Sequence, residues 1–152
     1  MKKIAFFDAK PYDREWFDKV NKEYEIKYLE SKLTPATAQL AAGSDAVCAF
    51  VNDNIDAEVI DKLYDMGIRV IAMRSAGYSN VDFRAAYGKI NVVRVPAYSP
   101  YAVAEHAAGL LLTVNRKLHR AYNRTRDFNF SIVGLTGVDL HGKTAGVVGT
   151  GK

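Results

Sequence analysis

Only one cysteine, Cys48, occurs in the 152 residues, so no disulfide can form within the chain. It lies in the apolar run Ala46 to Val51, which predicts a buried, inert thiol and suits a reducing cytosol. Long hydrophobic runs are also lacking. The longest apolar-rich segment, around Ala107 to Val114, is far below the ~18 residues a membrane span needs, so no membrane partner is expected. After Lys2 and Lys3 the stretch Ile4 to Phe7 is interrupted by Asp8, too soon for a signal-peptide core, and a cytoplasmic protein is expected.

Clusters that would hold a metal are missing as well. His106, His119 and His141 are widely separated and have no carboxylate or thiol group around them, so no metal site is predicted. The net charge of +4 would permit a nucleic-acid partner only if the basic residues gathered on one face. Lys and Arg are instead spread along the chain. Their densest stretch, Arg116 to Arg126, reads as a solvated or subunit-facing helix surface, and no nucleic acid is expected.

What the chain does have is a regular alternation of short apolar runs with segments of helical period, the pattern of βα units that build a parallel sheet. Ile4 to Asp8 reads as a first strand, followed by a helix with Pro11 at its first position and Trp16, Phe17 and Val20 on one side. Ile26 to Leu29 is a second strand. Thr34-Pro35 predicts a helix start that Gly43 stops, and Ala46 to Val51 makes a third strand. Asp56 opens a helix carrying Val59, Ile60 and Leu63 at core spacing. Gly67 caps it in the left-handed conformation before a fourth strand, Arg69 to Met73. After Ser75-Ala76-Gly77 and a short helix from Asp82, Val92 to Val95 forms a fifth strand that Pro96 ends.

From Ser99-Pro100 onward apolar residues recur at Val103, Ala107, Leu110, Leu111, Val114, Leu118 and Ala121 without an interior proline. That spacing predicts one amphipathic helix from about Pro100 to Arg126, roughly 40 Å long, of the kind that links domains or subunits. Lys143 to Val148 reads as a further strand, running into Gly149-Thr150-Gly151-Lys152. Gly-x-Gly directly after a strand is the start of a dinucleotide-binding fingerprint, whose glycines permit a tight turn and let backbone amides approach a pyrophosphate. Only two of the three glycines are present, and a plain structural turn is an equal reading of the motif alone. The last strand also has no crossover partner, which reads as a chain cut off inside a second domain.

A five-stranded domain with Asp8 after strand one, Asp53 after strand three and Ser75 after strand four could also be a phospho-receiver, a signalling module. That arrangement needs paired acids after strand one and a Lys after strand five. Here Ala9 follows Asp8, strand five runs into Pro96-Ala97, and residues 100 to 152 go unexplained.

The stretches Arg74-Ser75-Ala76-Gly77, Val95-Pro96-Ala97-Tyr98-Ser99-Pro100, Ala104-Glu105-His106 and Gly146-Val147-Val148-Gly149-Thr150-Gly151 resemble the D-lactate branch of the D-2-hydroxyacid dehydrogenases in content, order and spacing. Pro11-Tyr12-Asp13, Phe50-Val51-Asn52-Asp53 and Asn115 to Phe130 extend the likeness to fermentative bacterial members over nearly the whole chain. The resemblance implies an α/β protein. Residues 1–98 would be a flavodoxin-like substrate domain lacking its C-terminal segment. Residues 99–152 would be a long helix and the first strand of a Rossmann domain truncated at its Gly-rich loop.

It further implies an NAD-dependent oxidoreductase interconverting D-lactate and pyruvate, or acting on another 2-hydroxy acid, with homo-oligomerisation through the helix 100–126. The keto-acid carboxylate would be held by the amides of Ala76 and Gly77 and by the phenol of Tyr98, with Ser75 and Arg74 beside them. Val103 would pack near the nicotinamide, and Gly149, Thr150, Gly151 and Lys152 would form the diphosphate edge. The Arg, Glu and His that supply the family's proton transfer and charge stabilisation match no position here, so no catalytic residue is assigned and the chain by itself is expected to be inactive. Glu105-His106 invites an acid/base reading, but a helix histidine paired across an interface, with Glu105 a first-turn acid, is preferred. Tyr98 on its own could equally be an ordinary aromatic closing the first core.

Overall fold

The computed structural model describes residues 1–149, and Thr150, Gly151 and Lys152, three of the expected diphosphate-edge residues, lie outside them. The chain divides into two compact units, Met1–Tyr98 and Ser99–Lys152. The first holds five strands, β1 (Lys2–Phe6), β2 (Tyr24–Tyr28), β3 (Ala46–Ala49), β4 (Val70–Met73) and β5 (Asn91–Arg94). They form one parallel sheet in the order β2-β1-β3-β4-β5. Register is set by pairs such as Ile4 with Ile26 and Ala46, Cys48 with Ala72, and Met73 with Arg94.

The order follows from the sequence pattern. β1 from Ile4 onward and β3 are apolar on both faces, as expected of central strands of a parallel sheet, whereas β2 and β5 alternate or carry polar residues and take the edges. Helix α1 (Pro11–Val20) starts with proline at its first position, where the missing N–H is no loss. Helix α2 (Ala57–Asp65) is capped by Asp56, whose carboxylate accepts from the Val59 amide at 3.0 Å. Gly67 follows α2 at φ 87°, a left-handed conformation that favours glycine, and turns the chain into β4. Val59, Ile60 and Leu63 of α2 are fully buried against Ala5, Phe7, Val47, Ala49 and Ile71. Each contributes about 1.5–3 kcal/mol of hydrophobic stabilisation, and Leu63→Ala would remove about 2–5 kcal/mol. Helix α3 (Phe83–Ala86) closes this face, with Asp82 accepting from the amides of Arg84 and Ala85.

On the opposite face of the first unit lies α1. Phe17 packs edge-on to Phe6 at 5.0 Å between ring centres, and beside it an apolar hollow of about 490 Å³ is lined by Ile4, Phe6, Val20, Ile26, Cys48 and Ala72, among others.

Three expectations are corrected. No α-helix follows Thr34-Pro35, where a single 3-10 turn at Ala38–Ala41 forms instead. Thr37 Oγ1 accepts from the Thr34 amide and donates to the Lys32 carbonyl, and such side-chain bonds compete with helix formation. The helix from Pro100 to Arg126 is two helices, α4 (Pro100–Arg116) and α5 (Leu118–Arg126), separated by Lys117 at φ 52°. The segment Gly134–Val138 folds back against the break. Asn115 Nδ2 donates to the Val138 carbonyl, the Val138 amide donates to Asn115 Oδ1, and Lys117 Nζ donates to the Gly134 carbonyl. Gly137 must be glycine there, since a Cβ would lie 2.4 Å from the Asn115 carbonyl oxygen. Finally, residues 143–148 form no strand, because a strand needs a neighbour's backbone groups and the described residues of this unit offer none. Among the described residues no helix is long and apolar enough to cross a membrane.

Candidate functional site

In a parallel sheet the loops after the strands' carboxyl ends form the ligand crevice, and here that edge carries the loops after β3, β4 and β5. The Arg74 amide donates to the Ala49 carbonyl at 3.0 Å, extending the ladder one residue beyond β4. The chain then turns through Ser75, Ala76 and Gly77, and the turn is braced through its oxygens. The Ser75 carbonyl accepts from the Val95 amide (3.2 Å), the Ala76 carbonyl from Arg94 Nη1 (3.1 Å), and the Gly77 carbonyl from Ser75 Oγ (2.9 Å). Among the described residues, neither the Ala76 amide nor the Gly77 amide donates a hydrogen bond.

These residues wall a cleft of about 380 Å³ lined by Phe50, Val51, Arg74, Ser75, Ala76, Gly77, Val95 and Tyr98. The first unit thus brings together all five residues that the sequence points to for substrate binding. Tyr98 is 65% exposed, so its ring lines the cleft instead of filling the core. Among the described residues no carboxylate or imidazole lines the cleft; its surface is apolar rings and methyls around backbone donors, one hydroxyl, one phenol and one guanidinium.

Arg74 faces the cleft, yet both of its terminal nitrogens are bonded elsewhere. Nη1 donates to the Phe7 carbonyl at 3.0 Å and Nη2 to the Asp8 carbonyl at 2.8 Å, while Nε lies 3.8 Å from Asp13 Oδ1. The guanidinium also lies over the rings of Phe6 (4.6 Å) and Phe50 (4.8 Å). On its other side is a smaller cleft of about 260 Å³ lined by Asp8, Lys10, Tyr12, Asp13, Phe50, Asn52 and Arg74. Lys10 Nζ donates to Asp8 at 2.7 Å, and that bond raises the lysine's pKa.

Sequence reasoning missed the supports of the cleft wall. Asp53 is buried and accepts from the amides of Phe50 and Leu33 at 2.6 and 2.8 Å. Burial raises its pKa, and the two amides and Arg74 draw it back down only in part. Asn80 Nδ2 donates to the carbonyls of Phe50 and Asp53 at 3.0 and 2.9 Å, leaving its buried Oδ1 unpaired among the described residues. The position of Phe50 just past β3 was the available signal; the roles of Asp53 and Asn80 depend on contacts across 20 to 30 residues of sequence.

The second unit carries the two remaining described candidates. Val103 is 55% exposed in the first turn of α4. Gly149 has φ 92°, with nothing within 4 Å of where a Cβ would stand. His106, His119 and His141 are exposed, and among the described residues no group of three potential metal ligands occurs.

The sequence pattern of the D-isomer specific 2-hydroxyacid dehydrogenase catalytic domain matches residues 4–145. The chain belongs to this family. Among its relatives, 2-hydroxyacid dehydrogenase homolog 1 of Schizosaccharomyces pombe is 56% identical, with 99% of this chain and 46% of the relative covered. The apo structure of Escherichia coli D-lactate dehydrogenase, 50% identical, superposes with a TM-score of 0.91 over 99% of this chain and 49% of its own. A D-isomer specific 2-hydroxyacid dehydrogenase from Lactobacillus delbrueckii ssp. bulgaricus, solved in NAD-complexed form, is 28% identical. It superposes with a TM-score of 0.64 over 92% of this chain and 44% of its own. The chain therefore spans about half the length of the relatives it matches. This membership replaces the phospho-receiver alternative, which accounted for neither the sequence after β5 nor the missing acid and lysine.

Proposed function

We propose that the chain is the N-terminal portion of an NAD-dependent D-lactate dehydrogenase, with Met1–Tyr98 as the substrate domain and the residues from Ser99 onward beginning the NAD-binding domain. The observation that carries this reading is the turn at Ala76-Gly77. Its carbonyls are bonded within the protein and its two amides are not, in a crevice beyond the strands' carboxyl ends that also contains the Tyr98 phenol. Paired amides and a phenol bind a carboxylate without adding a buried charge, each bond to the charged group contributing about 1.5–3 kcal/mol. A 2-keto acid anchored in this way presents its carbonyl carbon to groups outside the cleft wall. Phe50, Val51 and Val95 offer apolar surface to its short alkyl end.

NAD supplies the hydride when bound. The left-handed backbone and open surroundings of Gly149 fit close approach of a pyrophosphate, and Val103 offers an apolar side chain for the nicotinamide end. Thr150, Gly151 and Lys152 would continue the diphosphate edge. The acid and charge stabiliser are assigned to the remainder of the protein, since among the described residues no carboxylate or imidazole lines this cleft. The apolar hollow beside Phe6 and Cys48 is assigned to the segment that completes the substrate domain. Helices α4 and α5 are assigned to a homo-oligomer contact, and a free, buried Cys48 suits the cytoplasm.

The test is NADH oxidation by the full-length protein, with chiral analysis of the product. The reading requires pyruvate to be reduced to D-lactate, while the 152-residue chain alone leaves NADH unchanged. Formation of L-lactate would contradict the family assignment of stereochemistry, and reduction of longer 2-keto acids with no pyruvate turnover would transfer the reading to another 2-hydroxy acid.

A further inference from the structure

Arg74 stands one residue before the carboxylate-binding turn, and its side chain is only 12% exposed. A cation that deep is costly unless its donors are satisfied, and the structure shows how they are. Its two terminal nitrogens grip successive carbonyls, Phe7 and Asp8, where the chain leaves β1. Its own amide is bonded to the end of β3 through the Ala49 carbonyl. Its charged plane lies over Phe6, which belongs to β1, and over Phe50, which follows β3 and lines the cleft. One residue therefore joins the carboxyl ends of three adjacent strands. Each terminal nitrogen keeps a second N–H, but swinging the guanidinium out to an anion would break both carbonyl bonds and leave both rings.

We propose that Arg74 is a positioning residue: it holds the Phe50 wall and the origin of the Ser75–Gly77 turn in place, and the substrate is bound by the turn and not by the guanidinium. This rests on the reading of the cleft as a 2-keto acid site. A planar fork suits the task, because its two terminal nitrogens reach two neighbouring carbonyls while its plane lies on aromatic faces; a lysine ammonium gathers its three donors on one nitrogen and has no plane to lay on the rings. Charge alone is therefore not what Arg74 contributes.

The experiment is steady-state kinetics and thermal melting of Arg74→Lys, Arg74→Met and Phe6→Leu in the full-length enzyme. Phe6 touches the guanidinium and does not line the cleft, so its substitution loosens the brace without altering the binding surface. The expected result is a pyruvate KM raised tenfold or more in both Arg74 variants, within about threefold of each other, and raised at least threefold in Phe6→Leu. The KM for NADH stays within twofold of wild type throughout. If Arg74→Lys keeps a wild-type KM while Arg74→Met loses it, charge is the active property and the proposal is wrong. If melting temperature falls while every pyruvate KM is unchanged, Arg74 is a fold residue only and the proposal is equally wrong. Should the Arg74 variants fail to fold, Phe6→Leu decides by the same criterion. A wild-type enzyme that does not reduce pyruvate would count against the functional reading alone, and the same comparison is then made with the 2-keto acid it does reduce.

Discussion

The amide of Phe50 donates to the buried carboxylate of Asp53 at 2.6 Å, while the Phe50 carbonyl accepts from Asn80, so the aromatic wall of the cleft is fixed at both ends of one residue. Asp53→Asn should weaken that wall. The substituted amide group would oppose one of two N–H donors, those of Phe50 and Leu33, with a donor of its own, at a cost of about 1–3 kcal/mol. The pH dependence has a definite sign. Burial places the folded-state pKa of Asp53 above its unfolded value, so the folded protein binds the proton more tightly. Its contribution is complete below the unfolded pKa and is lost as pH rises through the folded one. Denaturant titrations should show the gap between wild type and Asp53→Asn widest in acid and narrower towards neutrality; a gap that widens with pH would refute this.

Cys48 should resist alkylation in the native protein. Burial, only partly offset by Arg74, raises its pKa from 9.0 to about 11. At pH 8 the thiolate population is then about a hundredfold smaller than in the unfolded chain, and iodoacetamide should react at least that much more slowly before denaturant is added. By the same linkage the folded state holds this proton more tightly, so stability falls as pH rises from 9 through 11, by on the order of 2–3 kcal/mol. Cys48→Ala should flatten the alkaline limb of the stability curve. Equal labelling rates in native and unfolded protein would contradict the assignment.

The second unit should self-associate. Leu110, Leu111, Val114 and Leu118 of α4 and α5 are each more than half exposed, a density of apolar surface that seeks a partner. Sedimentation should show a dimer or larger species, and Leu111→Glu should shift it towards monomer. A strictly monomeric profile at high concentration would rule the contact out.

Where local chemistry decided the structure, the sequence could be read directly. Pro11, Asp56 and Gly67 mark α1 and α2 because each acts within a turn of its own position, and the apolar runs of β1, β3 and β4 locate the sheet centre. The five candidate substrate residues gather for the same reason, since they follow the ends of adjacent strands. Lys117 could not be read this way. No proline or glycine marks the break, which accompanies the return of Gly134–Val138 onto Asn115. Thr34 and Thr37 show the converse, a helix signal undone by hydroxyls that bond each other and the nearby backbone. Arg74 was visible as a cleft residue, but its bonds to carbonyls 66 and 67 positions away have no sequence signature.

Binding of the substrate carboxylate by this cleft is tested most directly by Tyr98→Phe in the full-length enzyme. The phenol is 65% exposed on the cleft wall, so removing its hydroxyl leaves the core intact and the melting temperature unchanged. Loss of one hydrogen bond to a charged group should lower kcat/KM for pyruvate by roughly ten- to a hundredfold, with NADH affinity unaltered. A kcat/KM within about twofold of wild type would contradict the account.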